Sequence, residues 1–149
     1  MKIMKAEKSD LKDILELQYM AYQSEAILTN NFEIPPLKQT YDEILTEYDS
    51  CDILKAVDKD GNIIGSVRGR LKDNILQVAR LMVHPRNQGQ GIGTKLIAAI
   101  EELYPGVRKE LFTSERSTRN IQLYQRNGYQ IFKTENLTEN LKMVYLYKQ

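Results

Sequence analysis

The sequence predicts an α/β fold, a single domain over residues 1–149 with a mixed, mostly antiparallel sheet flanked by helices. Three observations lead there. Helical and extended periodicities alternate along the chain. The connections at Asp58–Asn62 and Lys72–Asn74 are too short for parallel crossovers, so the strands around them form an antiparallel meander. One strand then ends near His84 and runs through three alternating glycines into an apolar helical stripe. No internal repeat, low-complexity tract or interdomain linker interrupts the pattern.

Composition narrows the function classes. A chain of 149 residues, 42% hydrophobic and 28% charged, can bury a core without metals or disulfides. Cys51 and His84 are the sole cysteine and histidine, which argues against a disulfide framework and against thiolate or histidine metal sites; no metal is expected. Basic and acidic residues (21 and 20) are well mixed, leaving +1 and no nucleic-acid footprint. No apolar run approaches membrane-spanning length and the first residues lack a signal-peptide core, so a cytoplasmic protein without membrane partners is expected. Asn136-Leu137-Thr138 reads as a chance glycosylation match in a turn.

The elements follow in order. Lys2 to Ala6 alternates as a first strand. Ser9 or Asp10 caps a helix whose apolar side is Leu11, Ile14, Leu15, Leu17 and Met20, running into the low twenties. Residues 22 to 36 carry no clean period, and Pro35-Pro36 excludes a helix interior. Thr40 and Glu43 form a capping box before a short helix with Tyr41, Ile44, Leu45 and Tyr48 on one face. Strands are expected around Ile53 to Val57, at Ile63 to Arg70 and at Ile75 to Val83. The helix after the glycines carries Ile92, Leu96, Ile97, Ala99, Ile100 and Leu103 and stops at Pro105-Gly106. Glu110 to Thr113 is a buried strand, parallel to the one ending at Val83 if the two are neighbours. Ser117 caps a last helix with Ile121, Leu123 and Tyr124, which Asn127-Gly128-Tyr129 stops. Tyr129 to Phe132 and Met143 to Tyr147 are final strands joined by a turn from Glu135 to Asn140.

The glycine loop carries the functional signal. The first amides of a helix lack internal acceptors and bear partial positive charge, and glycines let a phosphate come close to them. A dinucleotide fingerprint requires G-x-G-x-x-G, whereas Gly89, Gly91 and Gly93 alternate. An ATP loop requires Gly-Lys-Ser/Thr, whereas Gly93 precedes Thr94-Lys95.

Leu81-Met82-Val83-His84-Pro85 followed by Gln88-Gly89-Gln90-Gly91-Ile92-Gly93 instead resembles the acyl-coenzyme A signature of the GNAT family of N-acetyltransferases, in which Arg or Gln is followed by x-x-Gly-x-Gly or Ala. The run Asn120-Ile121-Gln122-Leu123-Tyr124 to Asn127-Gly128-Tyr129 resembles a second stretch of that family. Order and spacing match over nearly the whole chain, so the resemblance implies a GNAT-like acyl-CoA N-acyltransferase fold with acetyl-CoA as the acyl donor. It implies that Leu81 and Val83, with Met82 between them, hold the pantetheine arm on a splayed strand. Gln88, Gly89, Gln90, Gly91, Ile92, Gly93 and Thr94 would cradle the pyrophosphate, and Asn120 would contact the coenzyme near the thioester.

The resemblance further implies direct acetyl transfer to a primary amine within a ternary complex. Tyr124 would protonate the departing thiolate and the Val83 amide would donate to the oxyanion. Glu25, between the first helices, is the candidate base, with water and backbone carbonyls as rivals. Glu43 and Glu47 read as solvated helix positions, His84 as a local structural residue, and Cys51 as lacking the partner that a covalent route needs. Arg68, Arg70 and Arg80 read as the solvated side of the meander, with recognition of an acidic acceptor as the alternative. The expected partner is an amine-bearing small molecule or peptide. Family members often dimerise through late strands or helices, which makes a homodimer an expectation with no patch assigned. A catalytically silent acyl-CoA-binding regulatory module is the alternative function.

Overall fold

Apolar residues recurring every three or four positions fold Leu11–Ala21 into α1, which buries Leu11, Ile14, Leu15 and Leu17. The computed structural model describes residues 1–149. Three more helices follow at Gln23–Thr29 (α2), Pro35–Lys38 (α3) and Tyr41–Tyr48 (α4). Later come α5 (Ile92–Glu102) and α6 (Thr118–Arg126). The strands are β1 (Lys2–Lys5), β2 (Asp52–Val57), β3 (Ile63–Lys72), β4 (Ile75–Val83), β5 (Arg108–Ser114), β6 (Gln130–Thr138) and β7 (Leu141–Lys148). They make one seven-stranded sheet in the order β1-β2-β3-β4-β5-β7-β6, in which only β4 and β5 run parallel. The expected fold class and the meander are both present.

Strand alternation divides the interior into two cores. On β2, Leu54 and Ala56 join the larger core with Leu96, Ile97 and Ile100 of α5 and Tyr124 of α6, while Ile53 joins Leu11, Ile14, Leu15 and Ile44 on the other face. The first face is thus covered by α5 and α6, the second by α1 and α4.

Several local expectations are corrected. The stretch after Ala21 is not irregular but forms α2, whose buried residues, Ala26 and Thr29, leave too thin a stripe to read. Asn30 ends it in a left-handed conformation, φ 50°. Pro35 and Pro36 occupy the first turn of α3, where a missing N–H costs nothing. Asp10 precedes α1, yet its carboxylate accepts from the Glu7 amide at 2.7 Å and from Lys55 at 2.6 Å and does not cap the helix. Met20, Tyr41 and Leu103 are exposed. The final strands are longer than expected, joined by Glu139-Asn140 alone, and Asn136 to Thr138 lie within β6.

Arg68 overturns its solvated reading. Its side chain is 1% exposed on the α1 side of the sheet, donating to Gln18 Oε1 at 2.6 Å and Gln39 Oε1 at 3.0 Å. It pairs with Glu47 at 3.4 Å, so Glu47 too is half-buried and engaged. Arg70, two residues on, is exposed as expected because the helix layer ends there.

Two features of β4 prepare the site. Its register against β3 steps from Ser66↔Met82 to Arg68↔Ala79, so two residues of β4 face one of β3, and Arg80 in this bulge has φ 51°. Its parallel pairing with β5 stops at Gln77↔Glu110, while β5 continues against β7 to Ser114↔Met143. The two strands diverge from that point.

Helix α5 lies close on β3 because glycines face it. A Cβ at Gly69 would stand 2.7 Å from Ile100 Cγ1 and 2.9 Å from its Cδ1. Gly69→Ala is therefore expected to cost about 1–3 kcal/mol through overpacking, read as a lower urea midpoint with an unchanged slope.

Candidate functional site

The gap opened by the diverging strands leads into a cavity of about 370 Å³. Its floor is Leu81, Met82 and Val83 of β4; one wall is the glycine loop and the start of α5, another is α6, and Tyr22, Glu25 and Leu28 close the remaining side. The sequence-predicted Leu81, Met82, Val83, Gln88, Gly89, Gly91, Ile92, Gly93, Thr94, Asn120 and Glu25 are all brought together here.

The backbone of β4 faces the gap in a defined way. The His84 amide donates to Ile64 of β3 at 2.8 Å. By alternation the Val83 amide points the opposite way, away from β3. Within the chain, the Tyr22 hydroxyl donates to the Leu81 carbonyl at 3.4 Å and Gln88 Nε2 to the Val83 carbonyl at 3.3 Å. Each carbonyl keeps a second lone pair for a further donor.

Beyond β4, the His84 Nδ1 accepts from the Arg86 amide at 3.1 Å and shapes the turn Pro85–Asn87, the local role expected for it. Gly89 and Gly91 follow with φ of 80° and 81°, a backbone that a side chain would strain, and a Cβ on either would meet nothing within 4 Å. Gly93 differs: its Cβ would stand 3.2 Å from Leu123 Cδ2, so it lets α5 and α6 approach. No side chain caps α5, and the first internal bond at its start joins the Lys95 amide to the Gly91 carbonyl at 3.2 Å. The amides of Ile92, Gly93 and Thr94 thus present an anion-attracting end to the cavity. Gln90 lines a separate shallow pocket with Asp58 and Lys95 and is not on this wall.

On the opposite side Glu25 is held by α6. Ser117 Oγ donates to one carboxylate oxygen, and Asn120 Nδ2 donates to the other at 3.1 Å and to Thr113 Oγ1 at 3.5 Å. Ser117 precedes α6 but does not cap it, and its hydroxyl is spent on Glu25 instead. Arg119 and Arg126 line the same wall, and Arg119 donates to Gln88 Oε1 at 2.6 Å.

Tyr124 is buried at 6% exposure, its ring 6.2 Å from that of Tyr129, and is not itself a wall residue. Burial, then neighbouring Tyr22 and Glu25, push its phenol far above the ordinary range. Burial also raises Tyr22, against the opposing pull of the Arg80 and Arg68 guanidiniums. Among the wall residues without a site prediction from sequence are Tyr22, Ser117, Arg119 and Arg126. Their only local signals were a helix end, a cap position and two surface-like arginines.

Comparisons agree with this geometry. The family model described as an acetyltransferase (GNAT) domain matches residues 50–131, more than half of the chain. The UPF0157 protein YqkA of Bacillus subtilis is 27% identical over 131 residues; these are 87% of this chain but 37% of that protein, so the chain spans little more than a third of its relative's length. Among solved structures, the PaiA N-acetyltransferase of Thermoplasma acidophilum in complex with coenzyme A aligns at TM-score 0.82 with 18% identity, covering 99% of this chain and 98% of that one. YncA of Salmonella typhimurium, a putative acetyltransferase with its cofactor acetyl-CoA, aligns at TM-score 0.77 with 18% identity, covering 100% and 93%. With its glycine loop and splayed strand inside the matched segment, the chain belongs to the GNAT acetyltransferase family.

Proposed function

We propose that this protein is an acyl-CoA-dependent N-acetyltransferase that moves an acetyl group from acetyl-CoA directly to a primary amine in a ternary complex. The observation that carries the reading is a single cavity joining the unpaired edge of β4 to the uncapped start of α5. An extended arm fits the first and a pyrophosphate the second. The glycines leave open the space that side chains would fill, and Arg119 and Arg126 add positive charge on the wall.

When bound, the donor supplies an acetyl carbon activated as a thioester. The residues of this chain act around it. The Val83 amide donates to the carbonyl oxygen as negative charge develops there. The amine nitrogen bonds to the acetyl carbon, the carbon–sulfur bond breaks, and Glu25 takes the proton that the nitrogen loses. Ser117 and Asn120 hold the Glu25 carboxylate in one orientation, and each oxygen retains a lone pair for that proton. Tyr124, kept neutral by burial, donates to the sulfur as it leaves. Holding both reactants together supplies up to roughly 7–11 kcal/mol of the barrier reduction. A silent acyl-CoA-binding module would need the cradle but not Glu25 and its two donors.

The first test is release of free thiol from acetyl-CoA across a panel of amines. Amine-dependent release is expected; coenzyme binding without release for any amine would leave the regulatory reading.

Gly91→Asn separates the cradle from backbone strain, because asparagine tolerates a left-handed φ better than other side chains do. Calorimetry should give a coenzyme A Kd raised by about tenfold or more, equal to 1.4 kcal/mol, at a nearly unchanged melting temperature. An unchanged Kd would remove the phosphate from this loop.

Tyr124→Phe keeps the ring and its packing. Single-turnover acetylation should slow by roughly 10²–10⁴-fold with little change in coenzyme affinity if proton donation limits the step. An unaltered chemical step would leave Tyr124 a packing residue.

A further inference from the structure

Two arginines near Tyr22 of the cavity wall, neither of them a lining residue, have little to neutralise them. Arg80 occupies the bulge of β4 in a left-handed conformation, φ 51°. None of the chain's ion pairs uses it, and its Nε is buried without a hydrogen-bond partner. Arg68 is 1% exposed and its Nε is likewise buried and unpartnered. Two of its three partners, Gln18 and Gln39, are neutral, and the one carboxylate, Glu47, stands at 3.4 Å. Arg80 and Arg68 act on each other's ionisation and both act on Tyr22 of the cavity wall, so the three share one neighbourhood. The one carboxylate paired here, Glu47, serves Arg68, and Arg80 has no ion pair. Hidden charge without a counter-ion is costly, and an arriving anion relieves it.

The bulge gives this charge its direction. Strict alternation would turn Arg80, like Val78, toward the apolar core under α5. The extra residue brings it to the α1 side with Arg68 and Tyr22. Its neighbour Leu81 is part of the cavity floor and its carbonyl accepts from the Tyr22 hydroxyl, so the bulge adjoins that floor. Glu25 acts on Tyr22 as well. Tyr22 is therefore flanked by a carboxylate suited to an ammonium and by a guanidinium suited to a carboxylate.

We propose that the acceptor is an amine that also carries a carboxylate, its amine end toward Glu25 and its carboxylate docked on Arg80 at the bulge, with Arg68 behind it. The proposal rests on the acetyl-transfer reading above for the identity of the cavity as an acceptor site. A fork of two N–H groups matches a carboxylate in a way that neither an amide nor a second ammonium can satisfy.

The test is calorimetric titration of the coenzyme A-loaded protein with the protein L-α-amino acids, β-alanine and γ-aminobutyrate, each against its own carboxamide. At least one acid is expected to bind tenfold or more tighter than its amide. In Arg80→Gln that ratio should fall below threefold while coenzyme A affinity stays the same. Arg80→Lys keeps the charge but not the fork, and it serves if the glutamine variant does not fold; its ratio should lie between the two. The inference is overturned if no acid outbinds its amide, or if the preference survives unchanged in the folded variants. Thiol release separates the two readings. Turnover with amines that show no carboxylate preference sinks this inference and keeps the acetyltransferase, whereas carboxylate-selective binding without turnover keeps the anion site and sinks the catalytic reading.

Discussion

The bulge at Arg80 is the constraint on which the site depends. A left-handed non-glycine residue inside a strand costs roughly 1–3 kcal/mol, and the surrounding structure has to hold it there. It does so on the β3 side, where pairing resumes at Met82 and Val83 and the His84 amide reaches the Ile64 carbonyl. It does not do so on the β5 side. With β5 committed to β7 as far as Ser114, no strand returns to satisfy the outward groups of Leu81 and Val83. The fold therefore contains a strand edge in its middle, an arrangement that a ligand with donors and acceptors along an extended arm can complete.

The two helix layers are fixed to this sheet by different means. On one face α5 settles onto glycine positions of β3 by close apolar contact, which sets the height of its first turn over the end of β4. On the other face the attachment is polar. Arg68 of β3 reaches α1 through Gln18, the α3–α4 connection through Gln39, and α4 through Glu47. Gln18 also donates to the Pro36 carbonyl at 2.8 Å, and the Tyr19 hydroxyl donates to the Gln39 carbonyl. This network holds the end of α1 in place, and with it Tyr22 at the joint and Glu25 in the first turn of α2. A buried cation, unlike an apolar contact, also favours particular groups around it, because its donors seek acceptors.

What was legible in the sequence was what short-range chemistry encodes. Pro85 ends a strand, alternating glycines open a loop, and an apolar stripe begins a helix, so residues 81 to 94 could be placed on the cavity almost as they lie. What depends on distant partners was not legible. Ser117 has the form of a helix cap, yet it serves Glu25, 92 positions away. Arg68 and Arg70 alternate identically along β3, and only the end of the helix layer makes one buried and the other exposed. Helix α2 buries too few residues to show a period because its other side faces a cavity. Gln90 shares a loop with the glycines but lines a different pocket, a distinction that a motif of backbone amides does not carry.

The burial of Tyr124 bears on the form of the acid step. Its phenol is pushed far above the ordinary range, chiefly through burial, which favours the protonated form. An ordinary thiol ionises near 8.5, well below such a phenol. Complete proton transfer to the sulfur is uphill, and the resulting phenolate would be buried beside Tyr22 and the Glu25 carboxylate. For the proposed donor role this leaves a hydrogen bond that strengthens as charge collects on the leaving sulfur, a contribution realised in the transition state and not in the ground state. In the proposed step Glu25 gains the proton that the amine loses. One face of the site becomes less negative as the other becomes more so, and the local charge is conserved through the step. Such a step can proceed without taking up charge from solvent.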